Sequence, residues 1–235
     1  MGVRGKNGFF ITLEGPEGGG KTSQARLLAE RLSQKGWPVS VTREPGGTPI
    51  GDKIRQLLID PANRDMLPLT ELLLFEAARF QHVQQLILPK LQQGEVVICD
   101  RFYDSSLAYQ GARNLPLQVV VDLNNLVVAS CQPDLTLLLD LDYETGRSRL
   151  TERYNQNQGH FDRIELEKKE FFEHLRQNYL DMARGHLGDL IFSAKEQKRW
   201  HIIDASQSFA EVADQIWHLV EPLSPVRFPG GLLSD

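Results

Sequence analysis

The sequence predicts an α/β fold built on a parallel β-sheet, and two observations support this prediction. Five short apolar runs alternate along the chain with longer amphipathic segments, which is the pattern of strands joined by crossover helices. Four of the five runs contain several β-branched residues or leucines and end on an acid or an arginine, as in strands that are buried on both faces. The predicted strands are Phe9–Glu14, Val39–Arg43, Val96–Asp100, Leu135–Asp140 and His201–Asp204.

Amphipathic segments with a helical period separate these strands. Gly36 and Gly94 stand just past two of the segments, at the position after a helix where a left-handed backbone favours glycine. The polar stretch Tyr154–His160 is predicted to be a loop. The predicted helices are Lys21–Lys35, Ile50–Asp60, Thr70–Gln93, Leu117–Ser130, Tyr143–Arg153, Glu165–Arg184 and Phe209–Leu219.

Length and composition indicate one folded domain. The chain has 235 residues, of which 41% are hydrophobic and 24% are charged, as in ordinary globular proteins. We expect a single domain over residues 1–220. Residues 221–235 are rich in proline and glycine, so we expect them to form a flexible C-terminal tail.

Charge and cysteine usage exclude several classes of protein. The formal net charge of -5 argues against a general nucleic-acid-binding surface, because phosphate binding needs an excess of Lys and Arg on one face. No run approaches the length of about 18 apolar residues that a membrane span requires. Cys99 and Cys131 lie far apart and outside any metal-binding spacing, which fits a reducing compartment. We therefore expect a cytoplasmic protein that binds neither nucleic acid nor a membrane.

The segment after the first predicted strand, GPEGGGKT, matches the phosphate-binding pattern GxxxxGK[ST] and precedes a predicted helix. Its glycines let backbone N–H groups surround phosphate oxygens, and the following helix N-terminus adds a positive dipole end. Lys21 is predicted to neutralise the β and γ phosphates, and Thr22 to bind Mg²⁺ through its hydroxyl group. The motif therefore predicts a nucleoside triphosphate site. The predicted ATP-binding residues are Gly15, Pro16, Glu17, Gly18, Gly19, Gly20, Lys21 and Thr22.

The third predicted strand ends on Asp100, whose carboxylate is a second candidate ligand for Mg²⁺. The alternative is a residue that caps the following turn. Arg101 comes directly after it and favours the first interpretation, because a cation at a strand end suits a second phosphate. A phosphotransferase and a GTPase switch then compete. The switch would need DxxG and [NT]KxD segments, and neither occurs in the sequence.

Five segments, in this order along the chain, together resemble the thymidylate kinase family: LEGPEGGGKT, REPGGT, LFEAAR, DRFYDSSLAYQG and FDRIE. The likeness spans about residues 9–220. It implies a P-loop fold with three layers, α/β/α, a five-stranded parallel sheet and a short flexible lid at about residues 147–163. It also implies Mg²⁺-dependent transfer of the ATP γ-phosphoryl group to dTMP, giving dTDP and ADP for dTTP synthesis.

Two alternatives to this function stay open. The first is another small-molecule kinase of the same fold, such as a deoxynucleoside kinase, and the second is a regulatory nucleotide switch. The resemblance further implies a homodimer, in which the segments Leu72–Phe80 and Leu117–Val128 bury a shared face. Core packing of the same apolar residues is the alternative for this interface.

The resemblance assigns eight residues to dTMP. Phe75 would stack on thymine and Arg79 would hydrogen-bond its O4, one helical turn away. Core packing for Phe75 and a solvated helix face for Arg79 are the alternatives. Arginines would bind the phosphate, an acid the 3′ hydroxyl, and polar groups the sugar and base edge. Besides Phe75 and Arg79 at the base, these residues are Arg55 and Arg101 for the phosphate, Glu17 for the 3′ hydroxyl, and Ser106, Tyr109 and Gln110 for the sugar and base edge.

Phosphoryl transfer needs cations around the moving group, and the phosphate loop of this chain contains no arginine. The resemblance implies that lid arginines from the segment GRSRLTER supply them, with Arg163 following the lid. A solvated basic face paired with Glu144 and Glu152 is the alternative. The turn Asp204–Ser206 would contribute to the adenine pocket. The predicted catalytic residues are Lys21, Arg101, Arg149 and Arg153.

Overall fold

In the computed structural model, residues 7–129, 131–157, 160–187 and 197–223 are described, and they contain one five-stranded sheet. All neighbouring strands pair in parallel, in the order β2-β3-β1-β4-β5, which confirms the predicted sheet. The fifth strand begins one residue earlier than predicted. The strands are β1 (Phe9–Glu14), β2 (Val39–Arg43), β3 (Val96–Asp100), β4 (Leu135–Asp140) and β5 (Trp200–Asp204).

Helices follow each of the strands. Within the described ranges none of these helices is long and apolar enough to cross a membrane. A π-helical turn over Val83–Ile87 joins α3 to α4, and a 3-10 turn over Glu221–Leu223 follows α9. The α-helices are α1 (Lys21–Gln34), α2 (Pro49–Ile59), α3 (Pro68–His82), α4 (Leu88–Gln92), α5 (Tyr103–Ala112), α6 (Leu117–Val128), α7 (Tyr143–Asn157), α8 (Lys169–Arg184) and α9 (Phe209–Val220).

Helices cover both faces of the sheet, so the fold has three layers. Successive residues of β1 point to opposite faces. Phe10 packs with residues of α3, α5 and α8, and Ile11 packs with residues of α1 and α9 on the other face. Burial on both sides explains why the inner strands β1, β3 and β4 are mostly apolar, whereas the edge strands β2 and β5 are only partly buried.

Three helix predictions need correction. Helix α5 was not predicted, because its residues YDSSLAYQ are all buried and small polar side chains obscure the apolar period. The loop prediction for Tyr154–His160 was wrong at its start, since α7 continues to Asn157; residues 158–159 lie outside the described residues. The sixth predicted helix begins at Lys169, not at Glu165. Before it, Asp162 accepts hydrogen bonds from the backbone N–H groups of two following residues, each at 2.9 Å, and this forms a turn.

The two chain ends and one predicted helix end are only partly described. Helix α6 stops at Val128, and Ala129 has a positive φ of 50°. Ser130, which ended the prediction for this helix, lies outside the described residues. In the predicted tail, residues 221–223 form the 3-10 turn and residues 224–235 lie outside the described part.

Candidate active site

The phosphate-binding loop joins β1 to α1. Gly15, Gly18 and Gly20 have positive φ angles of 132°, 78° and 81°, which only glycine adopts without strain. At Gly18 a Cβ atom would also lie 2.5 Å from the Gly146 carbonyl oxygen. Gly20 precedes the helix and has no side chain to cap it, so the N–H groups of the first turn are available to an anion.

Lys21 curls back over this loop. Its Nζ donates to the carbonyl oxygens of Gly15 at 3.0 Å and Pro16 at 2.7 Å. Burial, and then the charge of Arg101, lower the pKa of Lys21 to about 8, although Glu17 acts in the opposite direction. The ammonium group is therefore mostly charged at neutral pH and loses its proton as the pH rises through about 8.

Thr22 and Asp100 meet because β1 and β3 are neighbours in the sheet. The Thr22 hydroxyl group donates a hydrogen bond to the Asp100 carboxylate. Both side chains face the same cavity as Lys21. They present the hard oxygen atoms that Mg²⁺ prefers.

Arg101 is the centre of a second group of contacts. Its Nη1 donates to the Gly15 carbonyl oxygen at 2.9 Å and to the Tyr179 hydroxyl group at 3.1 Å, and its Nη2 donates to the Glu17 carboxylate. Arg101 has a φ of 70°, an uncommon conformation for a non-glycine residue that costs about 1 kcal/mol or more. The surrounding contacts hold it there.

Glu17 joins this group to helix α5. It accepts a hydrogen bond from the Tyr109 hydroxyl group at 2.7 Å in addition to the one from Arg101. Burial alone would raise the pKa of Glu17, but the charges of Arg101 and Lys21 outweigh it and lower the pKa to about 2. Glu17 is therefore an anion throughout the physiological range.

Arg79 lies at the opposite end of the cavity and is only 1% exposed, so it does not lie on a solvated helix face. Its Nε donates to Glu44 at 2.7 Å, and its Nη1 contacts Glu76. Nη1 also donates to Ser106 at 2.8 Å and to Asn124 at 3.0 Å. These contacts fix the guanidinium group in one orientation. Phe75, on the same helix, is half-buried. It lines the cavity and also packs against the core, so stacking on a base and packing in the core are compatible roles for it.

All these groups line one cavity of about 530 Å³. It runs from the phosphate loop to the pocket around Arg79. The cavity is lined by 15 of the predicted site residues: Glu17, Gly18, Gly20, Lys21, Thr22, Arg55, Phe75, Arg79, Asp100, Arg101, Ser106, Tyr109, Gln110, Arg149 and Arg153. Gly15, Pro16 and Gly19 are in the loop but do not line the cavity.

The arginines of the predicted lid have different surroundings. Arg149 donates to the carbonyl oxygens of residues 205–207, at 2.7, 3.2 and 3.3 Å, and so contacts the turn after β5. The Arg153 side chain is 54% exposed, and its Nη2 lies 3.2 Å from a Glu165 carboxylate oxygen. Arg163 does not line the cavity: it is buried, donates to the Leu58 carbonyl oxygen at 2.7 Å and contacts Glu71.

Sequence reasoning missed two acids that shape the site. Glu44 lines the cavity and holds both Arg79 and His82; the signal was its place in REPGGT. Glu14 accepts hydrogen bonds from Ser105 at 2.6 Å and Tyr179 at 3.1 Å, two neighbours of Arg101. Burial, and then the charge of Asp104, raise the pKa of Glu14 to about 7. No local pattern distinguishes Glu14 from any acid that ends a strand.

Comparisons with known proteins agree with this geometry. A family model described as thymidylate kinase matches residues 13–216. The thymidylate kinase of Syntrophotalea carbinolica is 45% identical over 95% of this chain and 99% of its own length. That of Symbiobacterium thermophilum is 44% identical over 94% and 96%, respectively. A crystal structure of thymidylate kinase from Ehrlichia chaffeensis, 32% identical, superposes with a TM-score of 0.70 over 91% of this chain and 98% of its own. Since the matched segment contains every residue that lines the cavity, the fold and the site lead to one conclusion: this chain belongs to the thymidylate kinase family.

Proposed function

We propose that the cavity holds ATP and dTMP at the same time and that the phosphoryl group passes directly between them. As a member of its family, the chain transfers the γ-phosphoryl group of ATP to dTMP and yields ADP and dTDP, a step in the synthesis of dTTP. One observation carries the proposal: residues of the phosphate loop and residues around Arg79 line a single cavity. Positioning of donor and acceptor is, with electrostatic stabilisation, one of the two main contributions that a protein makes to this reaction.

The donor end is assigned to the loop Gly15–Thr22. Its glycine backbone and the first turn of α1 would surround the phosphates of ATP, and Lys21 would neutralise them. The contact between Thr22 and Asp100 supports a Mg²⁺ site, because two oxygen ligands meet beside the loop. When bound, Mg²⁺ would neutralise charge on the β and γ phosphates.

The acceptor end, where dTMP would bind, is assigned to the part of the cavity that Arg55 and Arg79 line. Arg55 donates to the Pro45 carbonyl oxygen at 3.2 Å. Burial, and then the charge of Arg43, lower the pKa of Arg55, although the charge of Asp162 acts in the opposite direction. The phosphate of dTMP would relieve that repulsion as it binds Arg55 and Arg101. Phe75 and Arg79 would then contact thymine.

We assign the charge that stabilises the moving phosphoryl group to Lys21, Arg101 and Arg153. Arg153 is the exposed arginine of the lid, and its contact with Glu165 leaves most of its side chain accessible. Arg149 was also predicted to be catalytic. Its three hydrogen bonds to the turn after β5 favour a role near adenine instead, because they would have to break before Arg149 reached the phosphates.

We further propose that the chain is one domain over residues 1–220 and forms a homodimer through α3 and α6. Leu69, Leu73 and Phe80 are 47%, 49% and 51% exposed and share one side of α3. On α6, which packs against α3, Leu126 is 75% exposed. An apolar stripe across two packed helices is typical of an association surface. Leu72, in contrast, is fully buried in the core.

The cytoplasm is the proposed location. Cys99 and Cys131 are both buried thiols, which is typical of proteins in a reducing compartment.

A coupled ADP-release assay tests the proposed function. We expect dTMP to give the highest rate, dUMP a rate lower by about 10 to 200-fold for its missing methyl group, and dCMP a rate near background. Chelation of Mg²⁺ should abolish release. Lys21→Ala should abolish turnover and retain dTMP binding, whereas the matched surface variant Lys35→Ala should behave as the wild type. If thymidine stimulates release and dTMP does not, the chain is a deoxynucleoside kinase.

A further inference from the structure

Glu71 is a buried carboxylate whose contacts extend to the acceptor pocket. It lies in the first turn of α3, is 2% exposed and does not line the cavity. Arg113 Nε donates to it at 2.7 Å, Gln110 Nε2 donates to it at 3.0 Å, and Arg163 is in contact with its other oxygen. Two of these three partners are cations, which suit an ionised carboxylate. An ionised carboxylate can only accept a hydrogen bond from the third partner, Gln110.

Gln110 lies between Glu71 and the cavity. It is fully buried and lines the cavity beside Phe75 and Arg79. Within the described part of the chain, its Oε1 has no hydrogen-bond partner, although buried oxygens in proteins nearly always have one. An amide group has a donor end and an acceptor end. Because Glu71 can only accept, it binds the amide nitrogen and leaves the oxygen as the unpartnered end of a side chain that lines the cavity.

We propose that Glu71 is a positioning residue that sets base selectivity through Gln110. By holding Nε2, Glu71 keeps Oε1 of Gln110 directed at the base, where it accepts a hydrogen bond from a ring N–H group. Thymine and uracil present such a donor at N3, whereas cytosine presents a lone pair there. Cytosine would therefore leave Oε1 without a partner, and this penalty is separate from the one at O4. The inference rests on the proposed placement of the dTMP base between Phe75 and Arg79.

A purely structural role for Glu71 predicts something different. The carboxylate also joins Arg113 and Arg163, and thereby connects α3 with α5 and with the segment before α8. If that were its whole role, replacing Glu71 would lower stability and turnover equally for every acceptor nucleotide. The ratio of kcat/KM for dTMP to kcat/KM for dCMP would then stay constant.

The test compares this ratio in Glu71→Gln with that in a matched control, Arg113→Gln. Glutamine at position 71 can donate, so the amide of Gln110 is free to rotate and to present its nitrogen to the base. We expect the ratio to fall by about tenfold or more in Glu71→Gln, the effect of one hydrogen bond. The control removes one ion pair of Glu71 but keeps its contact with Gln110, and its ratio should stay within about threefold of wild type.

Two further variants make the test decisive. Gln110→Met should lower the ratio as Glu71→Gln does, and the double variant should lower it no further, because both act on one contact. If Glu71→Gln does not fold, Glu71→Asp keeps the charge, withdraws the carboxylate from Gln110 and should show the same fall. An unchanged ratio in both Glu71 variants overturns the inference. It is also overturned if Glu71→Gln lowers the ratio in the Gln110→Met background as much as it does in the wild type. An active wild type whose selectivity is insensitive to Gln110→Met overturns it too and leaves the proposed function standing.

Discussion

At the scale of single residues, the site consists of charges that are buried but paired. Arg79 is held by Glu44 and Glu76, and Arg101 by Glu17. Removing one partner of such a pair leaves an uncompensated buried charge, which typically costs about 3–5 kcal/mol. The same pairs fix the orientation of the groups that would meet a ligand. Selectivity and stability are therefore linked at these positions.

The lowered pKa of Lys21 leads to a pH prediction. The charged form, which binds the donor phosphates, dominates below a pH of about 8 in the free protein. We expect kcat/KM for ATP to fall as pH rises through about 8, approaching tenfold per pH unit, because this parameter reports on the free enzyme. The measurement is a rate profile between pH 6 and 10 with dTMP saturating.

The profile has an internal control. With ATP saturating, the bound phosphates keep Lys21 protonated, so kcat/KM for dTMP should not fall at the same pH. If kcat/KM for ATP stays level up to a pH of about 9.5, Lys21 is not the group that must carry a charge.

Arg79 is predicted to read the base at O4. Arg79→Gln should lower kcat/KM for dTMP and reduce the ratio of dTMP to dCMP by about tenfold or more, because a glutamine amide can donate or accept. The variant should also be less stable, since Glu44 and Glu76 lose their cation. Kinetics for both nucleotides, at a temperature where the variant is folded, give the ratio.

Arg199→Gln is the matched control for Arg79→Gln. Arg199 is also buried, pairs with Asp104 at 2.7 Å and does not line the cavity. It should lose stability and keep the wild-type ratio. A wild-type ratio in Arg79→Gln would mean that Arg79 holds α3 in place but does not contact the base.

At the scale of elements, helix α7 carries Arg153, which we propose as the lid cation. Arg153 lies near its end, where Glu165 and the Tyr154 hydroxyl group, 2.9 Å away, are its neighbours. We expect Arg153→Met to lower kcat by about a thousandfold or more with little change in either KM, as when an arginine that stabilises the transition state is lost. Steady-state kinetics measure both parameters.

Arg147→Met is the control on the same helix. Arg147 donates to the Glu165 backbone oxygen at 2.8 Å, lies over the Phe161 ring and does not line the cavity. It should keep kcat within about tenfold of wild type. If the two variants lose kcat equally, the lid acts through its packing and Arg153 does not supply the charge.

The elements also show what sequence reasoning can and cannot reach. All five strands were predicted to within one residue. Burial on both faces makes β1, β3 and β4 apolar, and the partly buried edge strands β2 and β5 still contain several β-branched residues. Helix α5 was missed because its small polar residues are buried by the site itself. The motifs named 15 of the residues that line the cavity. Asn124, which holds Arg79, lies 45 residues from it along the chain and outside every motif. Only the fold brings them together.

At the scale of the whole molecule, the stripe on α3 and α6 predicts association. Light scattering at micromolar concentration should give twice the chain mass of 26.6 kDa. Replacing Phe80 and Leu126 with Asp should give the mass of one chain, because each buried charge opposes association. Phe209→Asp, at an equally exposed apolar residue on α9, should leave the mass unchanged. A monomeric wild type contradicts the proposed dimer.

The central claim is that one cavity passes a phosphoryl group directly from ATP to dTMP, and the fate of the γ-phosphate tests it most directly. In a single turnover with ATP labelled at the γ position and excess protein, the account predicts that the label appears in dTDP in step with ADP, and that inorganic phosphate stays at background because transfer occurs away from bulk water. Label released as inorganic phosphate at the same rate with and without dTMP would contradict the account.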